Sequence, residues 1–247
     1  ELRSVGLCMK LETRITKRPA DERGHADHGW LQARFTFSFA DYFDPAHIGF
    51  RTLRVMNNDT IHPGGGFGTH PHAEMEIFTY IIEGKLEHKD SMGNGAIIEP
   101  GNLQYMSAGG GITHSEFNPS DSEKTHLYQV WLQPNVTGGE PRYAEKQLAK
   151  IAEDNALTLL YSGDGRDGST KIRQHAEIHF GRADSESALE VSGSAQLPHA
   201  WIQVIKGELS VLGETLETAD GLAIEYAPQG FSIEASKDSE FLLFRLN

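Results

Sequence analysis

The 247-residue chain carries 26 glycines, 38% hydrophobic residues and a net charge of −13. That acidity excludes a nucleic-acid-coating surface, which needs clustered Lys and Arg, and reads instead as a solvated exterior. No apolar run reaches the roughly 18 residues of a membrane-spanning helix, and the single cysteine, Cys8, excludes an intrachain disulfide and agrees with a reducing, cytoplasmic setting.

Residues 1–17 hold charges at Glu1, Arg3 and Lys10 and no long apolar core, so they make a poor signal peptide. Met9 is a candidate natural start, which would make residues 1–8 a non-native leader. Phe35, Phe37 and Phe39 alternate, as on the inward face of a strand. Short apolar or alternating segments then predict strands at 50–56, 76–82, 85–88, 96–98, 103–106 and 127–132. Residues 143–151, rich in Ala, Lys and Leu, predict a short helix. A second series of strands follows at 158–161, 172–174, 177–180, 201–205, 208–212, 222–226 and 241–246. Turn residues at 91–95, 100–101 and 220–221 separate them. So many strands with so little helix predict an all-β architecture of sandwiches or barrels.

The two halves resemble each other. Tyr80-Ile-Ile-Glu-Gly84-Lys-Leu-Glu parallels Gln203-Val-Ile-Lys-Gly207-Glu-Leu-Ser, and 122–132 parallels 236–246 in the same order. An internal duplication of one β-module explains this. Pro134, Gly138, Gly139 and Pro141 mark the junction between the copies. Two barrels that cover each other's sheets would suit a monomer.

Gly68-Thr-His-Pro-His-Ala-Glu-Met-Glu76 is the most informative stretch. On a strand, residues two apart share a face, so His70 and His72 point the same way. Some forty residues later, His114 and Glu116 repeat that spacing after a glycine-rich turn. Two neighbouring strands could therefore converge three imidazoles and a carboxylate on one divalent transition metal. One His-x-His means little; the second pair makes coincidence a poor explanation. Glu74 and Glu76 share the parity of the first pair, so spacing leaves them open as carboxylate donors. His62, His88 and His126 read as polar surface or loop groups, and Trp131 as a core residue. Gly64-Gly-Gly66 lacks the Lys-Ser/Thr of a phosphate loop and reads as a turn.

The pattern Gly64-(x)5-His70-x-His72-(x)3-Glu76 with Gly84 resembles the first cupin motif, and Gly111-(x)2-His114-(x)3-Asn118 the second. The surrounding text is similar to the pirin family of bicupins. It is nearest to the quercetinase-like bacterial members, with their Glu-Arg-Gly-His-x-x-His-Gly-Trp as at 22–30. The resemblance implies two antiparallel cupin barrels: 1–21 an N-terminal extension or first strand, 22–140 the metal-binding barrel, 141–156 a linker with a short helix, and 157–247 a degenerate barrel. It implies Fe(II) held by His70, His72, His114 and Glu116, favouring Glu116 as the carboxylate and as the catalytic base. Nickel, manganese, cobalt or zinc would suit the same donors. The expected activity is quercetin 2,3-dioxygenase-like ring opening of a flavonol by dioxygen with release of carbon monoxide. The alternative expectation is a metal- or redox-sensing protein that binds a transcription factor or metabolic enzyme.

Overall fold

A computed structural model describes residues 12–247, and the expectations for Cys8 and residues 1–8 lie outside them. The first half comprises β1 (Arg14–Arg18), β2 (Gly24–Asp27), β3 (Leu31–Phe35), β4 (Leu53–Ile61), β5 (Gly66–His72) and β6 (Glu76–Glu83). It continues with β7 (Leu86–Asp90), β8 (Gly95–Ile98), β9 (Asn102–Ser107), β10 (Ile112–Phe117), β11 (Thr125–Leu132) and β12 (Arg142–Gln147). A single helical turn, α1 (Leu148–Ile151), precedes β13 (Ala156–Ser162), β14 (Thr170–Lys171), β15 (Ala176–Ala183) and β16 (Ala188–Ser192). The chain closes with β17 (His199–Lys206), β18 (Glu208–Val211), β19 (Glu214–Glu217), β20 (Gly221–Glu225), β21 (Gly230–Ala235) and β22 (Ser239–Leu246). Among the described residues no helix is long and apolar enough to cross a membrane.

Each half folds into a seven-stranded and a four-stranded sheet. The first pair runs β12-β9-β6-β11-β4-β3-β2 and β5-β10-β7-β8; the second runs β1-β20-β17-β22-β15-β13-β14 and β16-β21-β18-β19. The expected duplication is thus visible as repeated strand order. Its glycines have a physical reason. Gly84 (φ +71°) and Gly207 (φ +90°) sit in positive-φ turns, where a Cβ would lie 2.3 Å from Lys124 O and 2.4 Å from Asp238 O. Only glycine combines that φ with that close approach.

Strand alternation sorts the core. On β6, Phe78 and Tyr80 face outward and meet Tyr105, Tyr128, Tyr161, Phe180, Trp201 and Phe244, an aromatic-rich layer between the two seven-stranded sheets. Burying each such ring is worth about 1.5–3 kcal/mol. Ile77, Thr79 and Ile81 point the other way, into the first barrel.

Four expectations need correction. The helix predicted over 143–151 is strand β12 followed by one turn. Its residues pair antiparallel with β9 (Tyr143↔Met106, Glu145↔Gln104), so an open sheet edge overrides helix propensity. The segment 172–174 lies between strands, not in one. β1 belongs to the second barrel, pairing with β20, so the chain crosses back over the duplicated boundary at its start. Phe35, Phe37 and Phe39 do not share one face, because β3 ends at Phe35: Phe35 joins the first barrel's interior and Phe37 the layer between the barrels.

Candidate metal centre

His70 and His72 stand on β5, and His114 on β10 is the direct ladder partner of His70. The three imidazoles close into a triangle with ring centres 4.5, 4.8 and 4.9 Å apart, and their donor atoms all lie within 4.8 Å of one another. His70 Nδ1–H donates to Gly68 O at 2.8 Å, which leaves Nε2 with its lone pair free to ligate. His114 is buried, and neither of its ring nitrogens has a hydrogen-bond partner among the described residues. An orphaned buried imidazole is costly unless a ligand completes it. Burial, and next the neighbouring His70, push His72 down to about 4; burial, with His70 and His72 beside it, pushes His114 down to about 3. Both are therefore neutral donors near pH 7.

A β-bulge between His114 and Glu116 shifts the ladder, and Glu116 lies one step deeper, opposite His88 of β7. It falls in a second donor group with His114 and His88, again within 4.8 Å, rather than in the triangle itself. Gln129 Nε2 donates to both of its carboxylate oxygens (3.4 and 3.2 Å), and Thr79 Oγ1 to one (3.4 Å). Burial raises its pKa despite the opposing His88, His70, Gln129 and Thr79.

His88 corrects the surface reading: it is fully buried. The clue was alternation, since Leu86, His88 and Asp90 share the inward face of β7. It is nonetheless not an open donor, because Nε2 engages Asp90 (3.2 Å) and Nδ1 engages Gln104 Nε2 (3.0 Å). It buttresses the ligand layer, with its ring centre 5.4 Å from that of His114. His126 is half-buried and hydrogen-bonds Asn58.

Glu74 and Glu76 drop out of the donor set. The chain turns between β5 and β6, with Glu74 at φ +53°, and its carboxylate accepts from Gly138 N. Glu76 then faces the junction between the barrels, where it accepts from Tyr105 Oη (2.5 Å), Ser107 Oγ (2.5 Å) and Arg173 N (2.9 Å).

The triangle opens on a cavity of about 190 Å³ lined by Phe39, Ile61, Phe67, Leu86, Leu127 and Trp131, with Asn57, Asp59 and Gln129 as its polar groups. Trp131, expected in the core, packs edge-on against His72 and Phe39 at this cavity. Burial, then Glu116, pushes Asp59 up to about 8, against the pull of Arg23. A larger cavity, about 560 Å³, lies near the barrel junction along Arg142, Arg166 and Arg173; the donor clusters found among the described residues belong to the smaller one. Three converging imidazoles, one of them without hydrogen-bond partners, and a buried carboxylate fit a divalent transition-metal ion.

Known proteins share this plan. Residues 16–132 match the family model described as Pirin, and residues 159–246 the model described as quercetinase C-terminal cupin domain. A curated Escherichia coli K12 protein, quercetin 2,3-dioxygenase, is 48% identical over 234 residues, covering 94% of this chain and 98% of its own. A pirin-like protein of Caulobacter vibrioides is 35% identical, covering 93% and 98%. The crystal structure of the Escherichia coli bacterial pirin YhhW in complex with nickel(II) superposes with a TM-score of 0.89 at 47% identity, covering 94% and 99%. With two barrels, both halves matched and near-complete coverage in either direction, this chain belongs to the pirin family, as a bicupin with a quercetinase-type C-terminal domain.

Proposed function

We propose that the protein is a metal-dependent dioxygenase of the quercetin 2,3-dioxygenase type, opening the central ring of a flavonol with dioxygen and releasing carbon monoxide. One observation carries this reading: a triangle of imidazoles and a buried carboxylate meet at the wall of a small, largely apolar cavity. The first relatives matched carry the same activity in their names.

His70, His72 and His114, with Glu116 completing the set, would hold the ion, and Fe(II) is the form we propose. The Escherichia coli relative is solved in complex with nickel(II), a divalent transition metal that the same donor types suit. When bound, the ion supplies Lewis-acid and redox chemistry between flavonol and dioxygen. The chain does the rest. Glu116 takes the proton of the flavonol 3-hydroxyl, and hydrogen bonds from Gln129 and Thr79 fix its direction. Phe39, Phe67 and Trp131 give a planar aromatic substrate apolar contact and keep water away from the reacting carbons. A cytoplasmic setting, supported by the single cysteine, belongs to the same proposal.

Metal-loaded protein should bleach the visible absorbance of quercetin, consume oxygen and release carbon monoxide in equal amounts. A fully metallated preparation that turns over no flavonol ends the proposal.

A further inference from the structure

Three side chains lining the cavity, Trp131 with its Nε1 donor and Asn57 and Asp59 with an acceptor each, lack among the described residues the partners that buried polar groups normally find. The inward positions of β4 read Val55, Asn57, Asp59 and Ile61, two apolar residues bracketing two polar ones. Asn57 and Asp59 are 2% and 5% exposed and line the cavity of the metal centre. The Oδ1 atom of each is buried with no hydrogen-bond partner among the described residues. Gln129, directly opposite Asn57 on β11, cannot serve them freely, because its amide is committed to Glu116. The remaining lining is mainly aliphatic and aromatic. A fold gains nothing by leaving two acceptors bare in an apolar cavity, whereas a binding site gains selectivity for a ligand that completes them.

We infer that Asn57 and Asp59 are specificity-determining residues, which hydrogen-bond the ring hydroxyls of a polyhydroxylated aromatic ligand. The inference rests on reading the site as a flavonol site and deepens that reading. A carboxyl group accepts from a phenolic O–H in either protonation state, and a primary amide accepts and donates, so the pair selects hydroxylated rings over bare ones. Alternate positions on one strand stand roughly 7 Å apart. The ligand therefore offers hydroxyls at more than one place, not a single anchoring group.

The test compares wild type, Asn57→Leu and Asp59→Leu, all metal-loaded, on quercetin and on 3-hydroxyflavone. The second compound keeps the reacting 3-hydroxyl and lacks the other ring hydroxyls. Wild type should prefer quercetin in kcat/KM. Each substitution should lower kcat/KM for quercetin about tenfold more than it lowers that for 3-hydroxyflavone, and leave the thermal midpoint unchanged or raised. Equal loss on both compounds, an intact preference, or a lowered midpoint with unchanged selectivity overturns the inference. Binding, followed by quenching of tryptophan fluorescence, separates this result from failure of the proposed reaction. If no flavonol is turned over but wild type binds quercetin more tightly than 3-hydroxyflavone and the variants do not, ring cleavage fails and the recognition role stands. Absence of any binding preference in wild type overturns the recognition role as well.

Discussion

The two barrels are one module with opposite uses of its interior. Where β5 and β10 turn His70, His72, His114 and Glu116 inward, β16 and β21 turn Leu189, Val191, Phe231 and Ile233 inward. In the second barrel these side chains join a single packed core that also takes in Leu209, Leu216, Leu222 and Phe241. In the first, the apolar interior is split into a larger cluster around Leu31, Ile61, Ile81 and Leu127 and a small one around Ile77, Met106 and Ile112. His199, on β17 of the second half, accepts from Tyr226 N and falls in none of the donor groups found among the described residues. A barrel of this size can be filled with hydrocarbon or hollowed for chemistry, and duplication lets one copy brace the other.

If that division of labour is right, damage to the two barrels should separate. His114→Ala should have the largest effect, abolishing metal binding and activity together, checked by metal analysis and oxygen uptake; a variant that keeps one metal per chain contradicts the donor set. Glu116→Gln should keep part of the metal while slowing turnover about 10²- to 10⁴-fold, the usual worth of a positioned base; turnover near wild type removes the base assignment. Ile233→Ala should cost about 2–5 kcal/mol by opening a cavity in the packed barrel. Denaturant titration would measure that cost, with metal per native molecule unchanged.

The smallest effect concerns acid. His179 first, and then Arg166, hold the Glu177 carboxylate down to about 2. A carboxylate with a lowered folded value contributes stability above its unfolded value of roughly 4.3, and that contribution is lost as pH falls toward 2. Glu177→Gln should therefore flatten the acid limb of stability between those values by about 2–3 kcal/mol. Unfolding curves at stepped pH would show it, and an unchanged limb would remove Glu177 from the account.

The comparison also shows how far the sequence could be read. Alternation placed the partners of each pair, His70 with His72 and His114 with Glu116, on a common face, because a pleated strand permits nothing else. It misled for Glu76, because parity holds only within a strand. The turn at Glu74 passes the chain from one sheet to the other, so Glu76 binds Tyr105 and Ser107 far from the imidazoles. His88 looked like one more polar residue, and only the pairing of β7 with β10 buries it beside Glu116. Asn57 and Asp59 lie beyond the strand predicted over 50–56, and their meaning appears only once β4 runs on to Ile61 and the cavity exists.

By itself, the sequence determined the all-β module, its duplication and the pairwise direction of the candidate metal donors. These follow from periodicity, turn chemistry and the positive φ demanded at Gly84 and Gly207. Tertiary structure decided which carboxylate sits by the histidines, which barrel claims β1 and β12, and which polar groups remain without partners in the cavity. Those outcomes depend on register between strands distant in the chain, and local pattern does not encode register across a sheet edge.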